Sequence, residues 1–441
     1  MIFTTVISIL IEKGGDSMYL SEIHRVYKKD PYFEMLDNFS FNAKNLYNNG
    51  LYHIRQYYIY CKNLKEGKSI ANLNVPQELI DYMNGKGSYI DYYKLDYLAK
   101  KLDNSLTEDY KSLPVAATAQ WVLKQLNTNW VSFFKQLKDF AKNPSKYKGR
   151  PKIPNYLDKD GRYMFSLTNQ NCKLKGGYIV FPKSFNGFTL KTKVDNLKQV
   201  RIIPKGNYYQ IEIIYEVKEL PMKEDNNRYF SVDLGVTNLA AITNNFNGEQ
   251  WLISGKPIKS INQYYNKLKS DYQSKAMLYN GKHMTNRILR LTNKRNDRIN
   301  TYLHKASKLL VDLAVSYDVS KIVIGYNKNW KNEVDIGKRN NQNFVGLPFL
   351  TFVNYIKYKA NLKGIEVILT EESYTSGTSF LDNELPIKEN YNKSRRVHRG
   401  LFRTKDGRLL NSDINGSYQI LKKVIGNYCV NPISLKVLQV I

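Results

Sequence analysis

Paired cysteines are missing from this sequence of 441 residues. Its cysteines, Cys61, Cys172 and Cys429, are isolated and form no C-x-x-C pair. The sequence therefore predicts neither a disulfide framework nor a cysteine-based zinc site. Cysteine usage of this kind is typical of a reducing, cytoplasmic compartment.

Long hydrophobic runs are lacking as well. The apolar opening segment, residues 1–11, is about half as long as a membrane-spanning helix needs to be. It also lacks the basic leader and the small-residue cleavage site of a secretion signal. Its β-branched residues before Gly14 and Gly15 predict a buried strand instead. The alternative is a chain that starts at Met18.

Acidic residues are few relative to basic ones. The 67 Lys and Arg residues exceed the 39 Asp and Glu residues, which gives a formal net charge of +28. Such a charge sets up a strong positive field, and nucleic acid is its natural partner. An AT-biased genome, or a ribosomal or membrane-surface protein, would be an alternative explanation. Hydrophobic residues at 42% predict a folded chain of two or three domains.

Hydrophobic periodicity divides the chain into three parts. A helical pattern from about Leu20 to Lys142 ends at a proline-rich turn region, which predicts a domain boundary near residue 145. Short β-branched segments over residues 160–218 predict a small antiparallel sheet or barrel. Further on, strands alternate with helices, which predicts a central sheet covered by helices. The fold class is therefore an α/β plus α+β multidomain protein. The expected elements of the last part are strands at 229–233, 240–243, 321–325 and 366–370, helices at 258–317, 348–362 and 414–424, and an irregular stretch up to 410.

Two acids occupy positions where a fold would hold them rigidly. Asp233 ends an apolar strand and is followed by Gly235, where the backbone can turn sharply. Asp413 precedes an apolar helix and is predicted to be an N-cap or first-turn acid. A plain capping role is the alternative for Asp413.

An ordered set of motifs resembles the TnpB family, the RuvC-like enzymes of insertion sequences that are related to type V CRISPR effectors and to Fanzor. Residues 232–240 (VDLGVTNLA) resemble the first nuclease motif of that family, and residues 411–421 (NSDINGSYQIL) resemble the third. The resemblance extends over nearly the whole chain. Other segments in the family's order are 44–48 with Arg55 and Gln56, 149–152, 303–308, 322–331 and 374–376.

The resemblance implies a domain order that includes an RNase H-like (RuvC) nuclease domain. The implied domains are an N-terminal strand of a β-barrel (1–18), a helical recognition domain (19–145), a small β-barrel or wedge domain (146–222), the first part of the nuclease domain (223–372), a basic insert that binds target nucleic acid (373–408) and the final part of the nuclease domain (409–441).

The resemblance also implies a carboxylate site for two Mg²⁺ ions, with Mn²⁺ as a substitute, because hard cations prefer oxygen ligands. Asp233 and Asp413 are the expected ligands. The family's usual glutamate position holds Gly325, which can bind nothing. A subset of the family supplies this glutamate from a later strand, and we expect Glu372 to do so here, with Glu371 as the alternate. Adjacent residues on a strand face opposite ways, so only one can serve.

By the resemblance, many relatives carry a cysteine-based zinc finger after the segment that corresponds to residues 374–376, but residues 375–408 of this chain contain no cysteine. We therefore expect a metal-free basic insert.

Basic residues also cluster before residue 152 and along the helix after the first motif, where they are predicted to contact phosphates. A solvated helix face is the alternative. The candidate nucleic-acid-binding residues are Lys146, Lys148, Arg150, Lys152, Arg287, Arg290, Lys294, Arg298, Asn327, Lys328, Trp330, Lys331, Arg395, Arg396 and Arg399.

The implied function is that of an RNA-guided DNA endonuclease of an insertion sequence. Its expected partners are a guide RNA from the transposon end and a target DNA, with no membrane, and its expected state is a monomer or weak dimer in a prokaryotic cytoplasm, near the nucleoid. Gly325 favours one alternative, a nuclease-dead descendant that occupies DNA as a repressor. An RNase H-fold DNA transposase is a further alternative.

Overall fold

The computed structural model describes residues 6–9, 17–84, 86–327, 346–398 and 400–440, with the backbone alone for residues 6–9 and 17. The chain divides into two compact units, Met1–Val217 and Lys218–Ile441. Both units combine helices with sheets, so the chain is a mixed α/β multidomain protein. No helix within the described ranges combines the length and the apolarity that crossing a bilayer requires.

The first unit contains five α-helices and two sheets within its described residues. The helices are α1 (Phe33–Lys65), α2 (Gln77–Met83), α3 (Tyr92–Lys101), α4 (Ser105–Lys111) and α5 (Ala116–Lys142). The strands are β1 (Val6–Ile9), β2 (Ser17–Tyr27), β3 (Phe165–Thr168), β4 (Lys173–Lys175), β5 (Tyr178–Val180), β6 (Thr189–Lys191), β7 (Leu197–Pro204) and β8 (Tyr208–Lys218). One sheet has the order β1-β2-β8-β7-β3 and the other has the order β4-β5-β6.

Helix α5 buries one apolar face in the core of the first unit. Val122, Leu126 and Trp130 are fully buried and pack in one cluster with the apolar residues of α1. Spacings of three and four place these side chains on one side of the helix. The periodicity of the sequence was therefore sufficient to identify how this helix packs.

The prediction of helix is wrong for residues 20–27, because Ser17–Tyr27 is strand β2, whereas helices follow from Phe33 onwards. Residues 20–24 are all buried, so both faces of the strand are covered. Two-sided burial hides the alternation of polar and apolar residues by which an exposed strand is recognised. The expected N-terminal strand is confirmed at Val6–Ile9, where it pairs antiparallel with β2.

The second unit is built on a six-stranded sheet. Its strands are β9 (Tyr229–Asp233), β10 (Asn238–Asn244), β11 (Glu249–Ser254), β12 (Lys321–Gly325), β13 (Glu366–Thr370) and β17 (Ser434–Leu438), in the order β13-β12-β9-β10-β11-β17. Strands β9, β12 and β13 are parallel, whereas β10 is antiparallel to both β9 and β11. The predicted strands at 229–233, 240–243, 321–325 and 366–370 are confirmed.

Helices and a small sheet complete this unit. The helices are α6 (Lys256–Asn280), α7 (Asn286–Ser316), α8 (Phe349–Asn361) and α9 (Ser412–Ile425), as the sequence predicted to within a few residues. The stretch before residue 410 was predicted to be irregular, which is correct for residues 371–395 and wrong for the part that follows. It contains a three-stranded sheet of β14 (Arg396–His398), β15 (Leu401–Arg403) and β16 (Leu409–Asn411).

Helix α9 lies directly on the central strand β9. Ser417 Oγ donates a hydrogen bond to the carbonyl oxygen of Ser231 at 3.0 Å, and Ser231 Oγ donates to the carbonyl oxygen of Ser417 at 2.6 Å. Ile420 and Leu421 of the same helix are fully buried against Tyr229 and Val323. Small residues at the contact allow the helix backbone to approach the sheet closely, and this approach sets the geometry described next.

Candidate active site

Three acidic residues from distant parts of the chain lie at one edge of the six-stranded sheet. Asp233 is the last residue of β9, and Glu372 follows the end of the parallel strand β13 by two residues. Strand β12 runs between them and ends at Gly325. Because the carboxyl ends of parallel strands meet at the same edge, Asp233 and Glu372 are brought to the same side of the sheet.

Asp413 reaches this edge from the first turn of α9. The side chain of Asn411 accepts hydrogen bonds from the backbone N–H groups of Asp413, at 2.9 Å, and Ile414, at 3.2 Å. Asn411 is therefore the N-cap, and the alternative of a capping role for Asp413 is wrong. Instead, Asp413 Oδ2 accepts a hydrogen bond from Asn238 Nδ2 at 2.9 Å. The predicted first-turn position is confirmed.

Two glycines allow the carboxylates to come close to the neighbouring backbone. A Cβ atom placed on Gly416 would stand 2.6 Å from Asp233 Oδ2, so this carboxylate lies against α9 one turn after Asp413. A Cβ atom on Gly325 would stand 2.5 Å from Glu372 Oε1. The space that a side chain at position 325 would need is therefore filled by the carboxylate of Glu372.

Glu371 and Glu372 point in different directions. The side chain of Glu371 is 64% exposed and forms an ion pair with Lys423 at 3.4 Å. Glu372 Oε1 is buried and has no hydrogen-bond partner among the described residues. The backbone N–H of Glu372 donates to Asn327 Oδ1 at 3.0 Å, which fixes the start of this loop. The geometry favours Glu372 over Glu371 as the third acid of the site.

Burial and mutual repulsion raise the pKa values of two of these acids. The pKa of Asp233 is raised well above its usual range by burial, then by the charges of Glu372 and Asp413, and Arg396 offsets part of this. Burial also raises the pKa of Glu372 to about 7, while Lys423 lowers it and Glu371 raises it. Three carboxylates that repel one another are stabilised by a positive ion between them.

The residues fit a divalent cation without forming a closed cage. Among the described residues, no group of three or more His, Cys, Asp or Glu side chains has the arrangement of a ready metal site. The orphaned Oε1 of Glu372 nevertheless requires a partner, because a buried oxygen without one is unfavourable. Asp233 and Asp413 add hard oxygen donors of the kind that Mg²⁺ prefers. Their role as metal ligands remains a prediction.

The raised pKa values predict how the stability of the cation-free chain depends on pH. An unfolded glutamate releases its proton near 4.5, whereas folded Glu372 keeps it up to about 7. The free energy of unfolding is therefore expected to fall as pH rises between these values. Thermal unfolding at about pH 5 and about pH 7.5 measures this difference. Added Mg²⁺ should reverse this dependence of stability on pH, and Glu372→Gln should weaken it. If the variant kept the same dependence on pH, its assignment to Glu372 would be contradicted.

Comparisons with known proteins cover the segments that carry these acids. A family model described as OrfB_IS605, probable transposase, matches residues 212–331, which include Asp233 and Gly325. A second model, described as the Cas12f1-like TNB domain, matches residues 349–420, which include Glu372 and Asp413. The chain is a TnpB-type protein. The resemblance found in its motifs is confirmed.

Solved structures similar to this TnpB-type chain have low sequence identity to it. A Cas12f1–sgRNA–target DNA complex has 13% identity and a TM-score of 0.49, and the match covers 86% of this chain and 82% of that one. The C2c1 protein of Alicyclobacillus acidoterrestris with single-guide RNA has 10% identity and a TM-score of 0.28, over 96% of this chain and 39% of that one. No curated protein matches the chain.

Most of the predicted nucleic-acid-binding residues of the TnpB-type chain are exposed. Lys148, Arg150 and Lys152 are exposed after α5, and Lys146 is exposed but forms an ion pair with Asp139 at 2.7 Å. Four basic residues are exposed on α7, opposite its buried apolar residues: Arg287, Arg290, Lys294 and Arg298. Their binding of nucleic acid remains a prediction. Lys328, Trp330, Lys331 and Arg399 lie outside the described residues.

Arg395 and Arg396 differ, although they are neighbours. Arg395 donates to Glu384 at 2.7 Å, lies 3.7 Å from Asp382, and its side chain is only 14% exposed. The structure therefore favours a structural role for Arg395 over the predicted phosphate contact. Arg396 is exposed, and its Nη2 donates to Ser412 Oγ at 3.4 Å, one residue before Asp413. Arg396 is thus the member of the pair that can contact a phosphate at the acids.

Buried Glu384 organises the insert of this TnpB-type chain. Its carboxylate accepts from the backbone N–H of Ser379 at 2.8 Å and forms ion pairs with Arg395 at 2.7 Å and Lys405 at 3.0 Å. Its carbonyl oxygen accepts from Gln419 and Lys422 of α9, at 3.1 and 3.3 Å. One acid therefore connects three segments of the insert with helix α9.

Replacing Glu384 with glutamine is expected to loosen the insert by about 3 kcal/mol, since it removes one partner of a buried ion pair. Opening of the insert should then be roughly a hundredfold more frequent. The rate of tryptic cleavage within the insert, residues 373–408, measures this opening. Glu389→Gln is the matched control, because Glu389 is exposed in the same insert. Equal cleavage rates in both variants would show that Glu384 does not hold the insert.

Sequence reasoning missed two residues of the site, Asn238 and Lys423. Asn238 lies within the first motif and holds Asp413, which is 175 residues away along the chain. Lys423 lies on α9 and pairs with Glu371 over 52 residues. Neither contact has a local signal. The position of Asn238 inside a recognisable motif was the available indication that its side chain contributes to the site.

Proposed function

We propose that the chain is an RNA-guided DNA endonuclease of an insertion sequence that hydrolyses DNA phosphodiester bonds with two divalent ions, Mg²⁺ or Mn²⁺. The observation that carries this proposal is the position of Glu372. Its carboxylate occupies the space beside Gly325, with a buried oxygen that lacks a protein partner among the described residues. The site therefore has a third acid in spite of the glycine, which is the opposite of what a nuclease-dead descendant requires.

The strand order supports an RNase H-like (RuvC) nuclease domain in the second unit. Among β13, β12, β9, β10 and β11 only β10 is reversed, which is the arrangement that RNase H-like domains share. In such a sheet the first strand delivers an acid at its carboxyl end, and Asp233 has that position. The β-barrel nature of the wedge domain in the first unit belongs to the same proposal.

Asp233, Glu372 and Asp413 would hold the ions, and the chain supplies the groups that orient them. The chemistry that Mg²⁺ would supply at this site is neutralisation of charge on the attacking and leaving oxygens of the phosphodiester. Asn238 fixes Oδ2 of Asp413, and Asn327 fixes the backbone at Glu372. Arg396 is exposed beside Asp233 and would bind a non-bridging phosphate oxygen of the strand to be cut.

A guide RNA and a target DNA are the proposed partners. The support is the TnpB type of the chain together with its formal charge of +28 and the exposed basic residues after α5 and along α7. Base pairing with the guide would specify the target, while the protein would contact the backbone of the heteroduplex. The proposed location is the cytoplasm of a prokaryotic cell, at its DNA, and the proposed state is a monomer or weak dimer.

Cleavage by the purified complex tests this function. The chain is purified with its associated RNA, that RNA is sequenced, and matching DNA is incubated with and without Mg²⁺. We expect a discrete RNA and cleavage that needs both Mg²⁺ and the RNA. Target binding without cleavage would identify a nuclease-dead repressor. Strand joining at transposon ends that survives removal of RNA would identify a transposase. Either result would overturn the proposal.

A further inference from the structure

The turn between α6 and α7 exposes an unusual amount of apolar surface. Leu278 and Tyr279 are 85% and 87% exposed, and Met277 and Met284 are 42% and 57% exposed. Single exposed apolar residues are common on protein surfaces, but four within eight consecutive residues form a patch that indicates an interaction site. We call residues 277–284 the hairpin tip.

Capping interactions fix the conformation of the hairpin tip. Gly281 ends α6 in the left-handed region, with φ of +63°. Asn280 Oδ1 accepts from the backbone N–H of Lys282 at 3.1 Å, and Thr285 Oγ1 accepts from the N–H of Ile288 at the start of α7. Since both helix ends are capped, the exposure of Leu278 and Tyr279 is a property of the folded tip and not of a frayed helix end.

The surroundings of the hairpin tip are positively charged. Residues 275–290 contain four Lys or Arg residues and no acid. Arg287 lies over the ring of Tyr272 at 4.0 Å and is exposed. A recess of about 360 Å³ lies beside the tip, with Lys282 and Asn286 among its polar residues and Met284 and Leu289 among its apolar ones. An aromatic ring and apolar side chains can contact unpaired bases, and the cations around them can contact the flanking phosphates. The surface is therefore complementary to a single strand of nucleic acid.

The hairpin starts at the sheet edge that carries the acids. Strand β11 is parallel to β9, because both are antiparallel to β10, so α6 leaves the sheet on the side of Asp233. The backbone N–H of Gly255 donates to the carbonyl oxygen of Thr237 at 2.8 Å, one residue before Asn238. With 25 residues, α6 carries the tip about 37 Å from this base.

From this geometry we propose that the hairpin tip binds single-stranded DNA by stacking Tyr279 on an unpaired base, with Leu278 in apolar contact and Lys282 and Arg287 on the flanking phosphates. The choice of DNA rests on the proposed function, because the strand that reaches the acids would be DNA. A second copy of this chain is a poor occupant, since it carries the same charge of +28 and would be repelled.

Binding of labelled oligodeoxyuridylate by the full chain, in EDTA so that nothing is cut, tests the proposal. Leu278→Ser combined with Tyr279→Ser should weaken binding roughly tenfold to a hundredfold, the range for loss of one stacked base. Tyr93→Ser is the control, because Tyr93 is 81% exposed on α3 in the first unit. Tyr279→Trp should bind like the unaltered chain and show quenched fluorescence from the new tryptophan.

Each other outcome overturns the proposal. Equal affinities in the tip variant and the control would remove the stacking role. Oligouridylate differs from oligodeoxyuridylate only by its 2′-hydroxyls. If the tip variant lost affinity for oligouridylate alone, the tip would be assigned to RNA. A dimer that dissociates in the tip variant during sedimentation would assign the tip to a second copy. The proposed function is tested separately, in the cleavage assay with Mg²⁺ and the associated RNA. It fails if the unaltered chain binds DNA but does not cut it there.

Discussion

Replacing Glu372 with glutamine is expected to reduce DNA cleavage roughly thousandfold or more, with little change in DNA binding. The variant keeps the size of the side chain but removes the charge and most of the affinity for a hard cation. It acts at an oxygen that has no other partner in the described residues, so no protein contact can replace the lost function. Rates of cleavage under single-turnover conditions, over a range of Mg²⁺ concentrations, measure the effect.

Glu371→Gln is the matched control for this experiment. The two acids are adjacent, but the side chain of Glu371 is 64% exposed and pairs with Lys423 of α9. We expect this variant to cut DNA at nearly the original rate, because exposed ion pairs contribute little. If Glu371→Gln abolished cleavage and Glu372→Gln did not, the assignment of the two residues would be reversed.

An alanine at position 325 is expected to impair cleavage strongly, although it adds one methyl group. The new Cβ would stand 2.5 Å from both Glu372 Oε1 and Ile420 Cδ1, well inside van der Waals contact. Overpacking of this kind destabilises by about 1–3 kcal/mol, and the side chain that can move most easily is Glu372. We expect loss of cleavage to exceed loss of stability, as measured by cleavage rate and thermal unfolding.

Moving the carboxylate from position 372 to position 325 gives the complementary test. Glu372→Ala clears the space beside Gly325, and Gly325→Glu then places a carboxylate at the end of β12, next to Asp233 on β9. The double variant should recover part of the cleavage that Glu372→Ala alone loses, because residues that share one space act non-additively. A double variant less active than Glu372→Ala would show that the two positions do not serve the same pocket.

Local patterns predicted much of the second unit. The apolar strand before Asp233 and the first-turn position of Asp413 are confirmed by the strand and helix that carry them. The expectation that only one of Glu371 and Glu372 serves used the alternation of side chains along a strand, and the structure gives an exposed Glu371 and a buried Glu372 oxygen. These features depend on a few neighbouring residues, so one sequence is enough to indicate them.

Other features depend on partners far along the chain. Strand β2 was missed because both its faces are buried, and strands β14, β15 and β16 have three residues each, too few to show a period. The ion pairs of Arg395 with Glu384 and Asp382 changed its expected role from phosphate contact to structural residue. Side-chain pairing of this kind follows from the tertiary fold, which residue spacing alone does not define.

The carbonyl oxygen of Glu384 and the amide of Asn415 tie the insert to α9, and Ser417 ties the same helix to β9. A rigid helix held on two sides transmits displacement from one side to the other. Because Asp413 lies in the first turn of this helix, a partner that displaced the insert would also displace the carboxylate of Asp413.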